Sequence, residues 1–258
     1  MKKGRIVRKV LMAIALACAA GAAAAQPIPL TNGRPVTVNN SAEPTLQSIL
    51  DGLFGASWGS VLANQSPFGL WRSATSAATT IPTIVAEFAA NAPINRFGIW
   101  FGTDASNIFT YDLLLGPSTV GTNAAISILN GSMTVGSSNI ADCSVLGGGK
   151  VNCGSATNAL ITPDRFGFYF QTGSGNRAFS IDALNPGSAP RVLSFQQGST
   201  TNWALAYEDA GDWDFNDMVV KIESIAPVPE ASTLALMLSG LGVVALAARR
   251  RSSKVKAA

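Results

Sequence analysis

Apolar residues recur at two different spacings along the chain. Directly after Pro44 they recur at helical spacing, at Leu46, Ile49, Leu50, Leu53 and Phe54. Thr45 is a suitable N-cap in front of this run, and Gly55 is a suitable stop behind it. The pattern predicts one short amphipathic helix over residues 46–54.

Beyond this helix, apolar and polar positions alternate, which is typical of β-strands with one buried face. Phe97, Ile99 and Phe101 share one face of residues 96–101, and Phe166, Phe168 and Phe170 share one face of residues 165–171. Both segments begin with Arg-Phe-Gly. Further strand candidates are residues 80–87, 110–115, 125–129, 191–196, 202–208 and 218–222. So many short strands predict a mainly β fold, an antiparallel β-sandwich of the jelly-roll type.

The first 25 residues have the pattern of a secretory signal peptide. A basic stretch through Lys9 is followed by an apolar run and then by small residues ending at Ala25. We expect signal peptidase to cut between Ala25 and Gln26 and the chain to be exported through the inner membrane. Residues 26–44, rich in Pro, Asn and Thr, form an exposed lead-in to an ectodomain over residues 45–225.

Residues 226–258 contain three consecutive features: a Pro-Val-Pro-Glu stretch, an apolar run over residues 233–248, and the triplet Arg249, Arg250 and Arg251. As a helix, the apolar run would rise about 24 Å, and the terminal arginines can snorkel to the interface of a ~30 Å hydrocarbon core. We predict a transmembrane helix whose arginines stay in the cytoplasm, which places residues 26–225 outside it.

This tail resembles the PEP-CTERM sorting signal of Gram-negative bacteria. The resemblance is carried by V-P-E-A-S-T-L-A-L-M-L-S-G-L-G followed by R-R-R, with Ala231 at the place of the second proline of the signature. It implies recognition by an exosortase, a membrane protease that would cut near Pro229 and Glu230. The protein would then be anchored transiently in the membrane before it reaches the cell surface or the medium. A simple tail anchor is the alternative.

Charge is distributed unevenly along the 258 residues. The whole chain has 18 Lys and Arg against 15 Asp and Glu, but ten of the basic residues lie near the two ends. Residues 26–225 contain eight basic and fourteen acidic residues, a net charge of −6. Because binding to a phosphate backbone needs clustered cations, the composition argues against a nucleic-acid partner.

Histidine is absent from the chain, which removes the commonest general base. Residues 55–59 match the G-x-S-x-G nucleophile elbow, but an elbow serine needs a histidine, so we interpret the match as chance. Cys143 and Cys153 remain after signal removal. In an exported chain this pair predicts a disulfide across the 147–149 glycine turn, and a thiol nucleophile would lack an activating histidine.

One dense polar cluster lies between the apolar segments 203–207 and 218–220, where a hairpin would gather its side chains. Its members are Glu208, Asp209, Asp212, Asp214, Asn216 and Asp217. Their mutual repulsion would be relieved by a hard cation with six to eight oxygen ligands, which makes calcium a candidate cofactor. The alternative is a solvated turn whose Asp and Asn side chains bind loop amides.

The cluster is also similar to the closing signature of a bacterial surface domain of unknown function. The similarity includes residues 205–209, Asp212 and residues 214–217 with 219–220, and it extends to residues 46–51, 85–88, 95–99 and 166–169. It implies a secreted β-domain with an acidic, calcium-binding turn. It implies no catalytic residues.

These observations favour a non-enzymatic, exported protein of the cell surface or of the extracellular matrix of a biofilm. The main alternative is a carbohydrate-binding module for an extracellular polysaccharide, in which Trp58, Trp71 or Trp213 would stack on sugar rings. A third hypothesis is a glycoside hydrolase with Glu208 and Asp214 as its two carboxylates, since that chemistry needs no histidine.

Overall fold

The structure is a computed structural model that describes residues 36, 43–75, 79–87, 95–115, 120–137, 144–146, 150–152, 155–209, 212–228 and 241–242. Residues 28–228 form one compact unit, and residues 1–27 and 229–258 are assigned to a second. In the second unit only Leu241 and Gly242 are described, and both are helical. Among the described residues, no helix has the length and apolar character needed to cross a membrane.

Several predictions at the two ends therefore lie outside the described residues. These are the signal peptide, the cleavage site at Ala25 and Gln26, the processing site at Pro229 and Glu230, most of the transmembrane stretch 233–248, and the triplet of Arg249, Arg250 and Arg251.

The predicted helix is confirmed as α1, Leu46–Phe54. The hydroxyl of Thr45 accepts a hydrogen bond of 3.2 Å from the backbone N–H of Ser48, which satisfies one of the unpaired amides of the first turn. Gly55, at φ 85°, ends the helix in a conformation that favours glycine. A 3₁₀ turn, Ala56–Trp58, follows, so the G-x-S-x-G match is not on a strand-to-helix turn.

The rest of the described chain is mainly β. Its strands are β1 Trp71–Ser73, β2 Ile81–Glu87, β3 Arg96–Asp104, β4 Asn107–Leu115, β5 Ala124–Leu129, β6 Ser132–Ser137, β7 Ser144–Leu146, β8 Lys150–Asn152, β9 Ser155–Thr157, β10 Gly167–Gln171, β11 Arg177–Phe179, β12 Val192–Gln196, β13 Trp203–Tyr207, β14 Met218–Glu223 and β15 Ile225–Pro227. All the strand pairs formed by these described strands are antiparallel, as predicted.

Two four-stranded sheets contain most of the long strands. We call them the β10 sheet, in the order β11-β10-β3-β4, and the β13 sheet, in the order β12-β13-β14-β2. The two Arg-Phe-Gly segments are neighbours in the β10 sheet, since β3 pairs with β10. The remaining strands form the sheets β5-β6-β9, β1-β15 and β7-β8.

One hydrophobic core receives side chains from both four-stranded sheets. The alternate residues Phe97, Ile99 and Phe101 of β3 lie in it, and so do the alternate residues of β13 from Trp203 to Tyr207. The Phe97 ring contacts the Tyr207 ring edge-on, at 6.0 Å between centroids. The aromatic row that the sequence predicted on β3 therefore packs against a row from the other sheet, where burial of each ring stabilises the fold by roughly 1.5–3 kcal/mol.

The opposite face of the β13 sheet is covered by α1. Leu46 and Leu50 of the helix form a second cluster with small residues of β13 and with Phe215 from the loop that follows β13. A strand that is buried on both faces has a nearly continuous apolar sequence, and β13 is such a strand. The packing brings the start of α1 next to the β13–β14 loop.

Cys143 and Cys153 lie outside the described residues, so their disulfide stays a prediction. Between them, β7 and β8 form a hairpin with Ser144 opposite Asn152.

Candidate functional site

The acidic cluster occupies the loop of the β13–β14 hairpin, as the sequence predicted. Tyr207 is paired with Met218 at the end of the ladder, so residues 208–217 close the hairpin. We call these residues the acidic loop, of which 208–209 and 212–217 are described. The two flanking strands are buried along most of their length, which fixes both ends of the loop.

Four of the six predicted ligands come together. Glu208, Asp212, Asp214 and Asp217 each offer a carboxylate oxygen, and these four oxygens lie within 4.8 Å of one another. Oxygens bound to one Ca²⁺ at about 2.3–2.6 Å lie at most about 5 Å apart. The four oxygens are therefore close enough together to be ligands of one such ion.

Burial distinguishes this loop from a solvated turn. Glu208 is fully buried, Asp214 is 3% exposed and Asn216 is 1% exposed. Taking carboxylates out of water is costly unless a positive charge or hydrogen bonds compensate for it. The predicted alternative of a solvated turn is therefore wrong for these three residues, whereas Asp212 is exposed.

The other half of that alternative, side chains that bind loop amides, is present. The backbone N–H of Asp209 donates to Oδ2 of Asp217 at 2.7 Å, and that of Asn216 donates to Oδ1 of Asp214 at 3.3 Å. The N–H of Phe215 donates to Oε2 of Glu208 at 3.4 Å. Each of these bonds shapes the loop so that its carboxylates face one another.

Asn216, also predicted as a ligand, differs from the carboxylates in what it binds. Its Nδ2 atom donates to the carbonyl oxygen of Pro44 at 3.0 Å. Its Oδ1 atom is buried and accepts no hydrogen bond from any described residue. A buried amide oxygen without a partner costs roughly 1–3 kcal/mol, and a cation is one group that would relieve that cost.

Burial and the repulsion between carboxylates raise the pKa of two members of the loop. Burial, and then the charges of Asp209, Glu208 and Asp214, raise the pKa of Asp217 from 3.8 to about 8, although the hydrogen bond from the Asp209 N–H opposes the rise. Burial is also the main cause that raises the pKa of Asp209. Asp209 is not among the four grouped carboxylates, and its backbone N–H serves as a donor to one of them.

Two aromatic residues of the loop have left-handed backbone conformations. Trp213 has φ 65° and Phe215 has φ 55°, on either side of Asp214. Bulky residues rarely adopt such angles, at a cost of roughly 1–3 kcal/mol each. Phe215 is buried in the cluster with Leu46 and Leu50 of α1, and this burial offsets the cost.

Arg191 and Pro44 were missed by the sequence reasoning. The Arg191 guanidinium lies 5.6 Å from the centroid of the Trp213 ring, and its charge lowers the pKa of Asp209. Neither residue is near the loop in sequence, and no short motif contains them.

The tryptophans proposed for sugar stacking have different exposures. Trp71 is 0% exposed and lies in the hydrophobic core between the two four-stranded sheets, so the prediction that it stacks on sugar rings is wrong. Trp58 is half-buried and its indole N–H donates to Asp51 at 2.9 Å. Trp213 is half-buried, with Arg191 over its ring.

The folded unit ends directly in front of the predicted processing site. Strand β15 pairs with β1, and the N–H of Val228 donates to the carbonyl oxygen of Leu70 at 3.0 Å. Pro229 and Glu230 are the next two residues.

Comparison with known proteins gives one assignment. No curated protein and no solved structure matches the chain. Residues 227–251 match the family of the PEP-CTERM protein-sorting motif. The tail thus contains, at residues 227–251, the PEP-CTERM protein-sorting motif that its sequence pattern predicted.

Proposed function

We propose that this chain is a non-enzymatic protein of the cell surface or extracellular matrix, sorted by an exosortase, whose β-domain is stabilised by Ca²⁺ in the acidic loop. In this proposal the β10 and β13 sheets are the two layers of a jelly-roll-like sandwich. The sorting motif at residues 227–251 supports export and transient membrane anchoring. Signal peptidase and exosortase are the processing partners.

The calcium site is supported by one observation above all: four carboxylate oxygens lie within 4.8 Å of one another, two of them from buried side chains. The unpartnered Oδ1 atom of Asn216 in the same loop is a further oxygen without another role. The donor set consists of hard oxygen ligands, which is the chemistry that Ca²⁺ prefers. When bound, the ion would neutralise the buried charge and link β13 to β14.

Burial also argues against the hydrolase hypothesis. A glycosidase must bring its two carboxylates to either side of a sugar bond, about 5–5.5 Å apart in retaining enzymes. Glu208 is fully buried and Asp214 is 3% exposed, so a polysaccharide cannot reach either carboxylate without opening the loop. A structural role for both residues is the better explanation.

The test is thermal unfolding of the purified full-length protein with excess EDTA and then with added CaCl₂. We expect calcium to raise Tm, and a tightly bound ion at 100 times its Kd stabilises by about 2.7 kcal/mol. Replacing both Asp214→Asn and Asp217→Asn should abolish the calcium response. The matched control is Asp164→Asn, a carboxylate outside the acidic loop, which should respond like the wild type. An unchanged Tm in the wild type would disprove the calcium site.

A further inference from the structure

A cleft on the outer face of the β10 sheet is separate from the acidic loop. Its volume is about 480 Å³, within the range of about 300–1,000 Å³ that is usual for small-molecule sites. The walls come from the β3–β4 turn, the β10–β11 turn and the loop after β11. Its lining includes Ile108, Thr110, Asn176, Arg177, Phe179 and Leu184.

Two glycines allow two buried aromatic side chains, which do not line the cleft themselves, to form a base under its residues Arg177 and Phe179. A Cβ atom at Gly98 would overlap the Tyr169 ring, and one at Gly167 would overlap the Trp100 indole. Both rings are 1% exposed, and they form a small hydrophobic cluster with Phe179. The Trp100 indole N–H donates to Ser180 at 3.3 Å, and the Tyr169 hydroxyl donates to Asp112. The base is thus fixed by packing and by hydrogen bonds.

Arg177 is held on this base in a defined position. Its guanidinium carbon lies 5.0 Å from the centroid of the Tyr169 ring. Its Nε atom donates to Gln171 at 2.7 Å, and its Nη1 atom donates to Thr110 at 3.3 Å. A guanidinium has five N–H donors, so these two bonds leave three donors at an exposed position of the cleft. An arginine that is already immobilised loses little side-chain entropy when it binds a ligand.

We propose that this cleft binds a carboxylate-bearing sugar, a hexuronate unit of an acidic polysaccharide. Arg177 would pair with the carboxylate, since guanidinium and carboxylate match in planar geometry and charge. Phe179, Leu184 and Ile108 supply apolar surface for the C–H face of the ring, and Asn176 supplies an amide for a hydroxyl. This inference does not rest on the calcium site, because none of the cleft residues belongs to the acidic loop.

The sugar binding proposed for this cleft differs from stacking on the predicted tryptophans. In the cleft the group that gives specificity is the cation of Arg177 beside apolar side chains, so neutral polysaccharides should bind much more weakly. The net charge of −6 over residues 26–225 makes non-specific attraction of an anionic polymer unfavourable, and a local positive group is therefore required.

The experiment is isothermal titration calorimetry of the full-length protein with a short oligogalacturonide, and with its methyl-esterified form in the same buffer. We expect the acid form to bind, and we expect the ester to bind at least about tenfold more weakly. Arg177→Gln should weaken binding of the acid form about tenfold or more, the effect of losing one hydrogen-bonded charge pair. The matched control is Arg72→Gln, an exposed arginine on β1 outside the cleft, which should leave the affinity unchanged.

Thr110→Val is the second variant. It removes one bond that positions Arg177 and keeps the guanidinium charge, so we expect a smaller loss than for Arg177→Gln. The proposal is overturned if the oligogalacturonide does not bind, if the ester binds equally well, or if Arg72→Gln weakens binding as much as Arg177→Gln. The last outcome would indicate diffuse charge attraction and no defined site.

Discussion

The Nδ2 atom of Asn216 donates a hydrogen bond of 3.0 Å to the carbonyl oxygen of Pro44, which lies 172 residues earlier in the chain. Pro44 directly precedes Thr45, the N-cap of α1. Phe215, next to Asn216, packs in the same cluster as Leu46 and Leu50. The acidic loop is thus joined to the start of the helix by one polar contact and by apolar packing.

Asn216→Ala should loosen the attachment of α1. It removes the donor to Pro44, and the loss of this partly buried hydrogen bond should lower the free energy of unfolding by about 1 kcal/mol. We expect faster hydrogen exchange of the backbone amides of residues 46–54, measured by mass spectrometry. Asn123→Ala is the control, because the Asn123 side chain is exposed and its bond to the Gly121 carbonyl oxygen is local and long, at 3.4 Å. Equal exchange in the wild type and in Asn216→Ala would contradict the link.

Stability without calcium should fall as the pH rises. The pKa of Asp217 is raised from 3.8 to about 8 in the folded protein, so the folded state holds a proton that the unfolded state has lost between these values. The contribution of this Asp217 proton to the free energy of unfolding is fully present below about pH 4 and is lost as the pH rises through about 8. We expect Tm in EDTA to decrease from pH 5 to pH 8.5, with a smaller decrease in Asp217→Asn, which keeps an acceptor for the Asp209 N–H.

Calcium should reverse this dependence, because the ion requires ionised Asp217. Binding would release a proton below pH 8, and affinity measured by calorimetry should increase from pH 6 to pH 8. Affinity that is independent of pH would place Asp217 outside the ligand set.

Two Gly→Ala substitutions should have opposite effects. At Gly98, a Cβ atom would overlap the Tyr169 ring and lie 2.5 Å from the carbonyl oxygen of Tyr111, so Gly98→Ala should destabilise by about 1–3 kcal/mol or more. At Gly52, on the exposed side of α1, nothing lies within 4 Å, and Ala is the better helix former by about 1 kcal/mol. Chemical denaturation of both variants measures the difference. Destabilisation by Gly52→Ala would count against the helix.

The mature protein should lack the end of the chain. If an exosortase cuts near Pro229 and Glu230, intact-mass analysis of surface material should find species that end close to these residues. In cells without the exosortase, the uncut chain should stay in the membrane fraction. Full-length protein in the mature surface material would contradict processing at this motif.

The local elements were the most predictable. The α1 helix was predicted from its apolar spacing, Thr45 and Gly55, because capping and amphipathic pattern are local properties. Most of the longer strands followed from alternation, but β6, Ser132–Ser137, was missed. Strands of three residues such as β1 and β11 were missed, because three positions are too few to show a period and because their pairing depends on distant partners.

The sequence alone determined the sorting motif, the acidic hairpin loop and the mainly β character, since each depends on residues that are close together in the chain. Only the tertiary structure decided which acidic residues meet, that Trp71 is buried, that Pro44 receives a bond from Asn216, and that Arg177 lies above the Tyr169 ring, which packs on Gly98. Such relations depend on which faces of the sheets pack together. Long-range packing fixes burial and distance, and neither quantity is encoded in any short stretch of the chain.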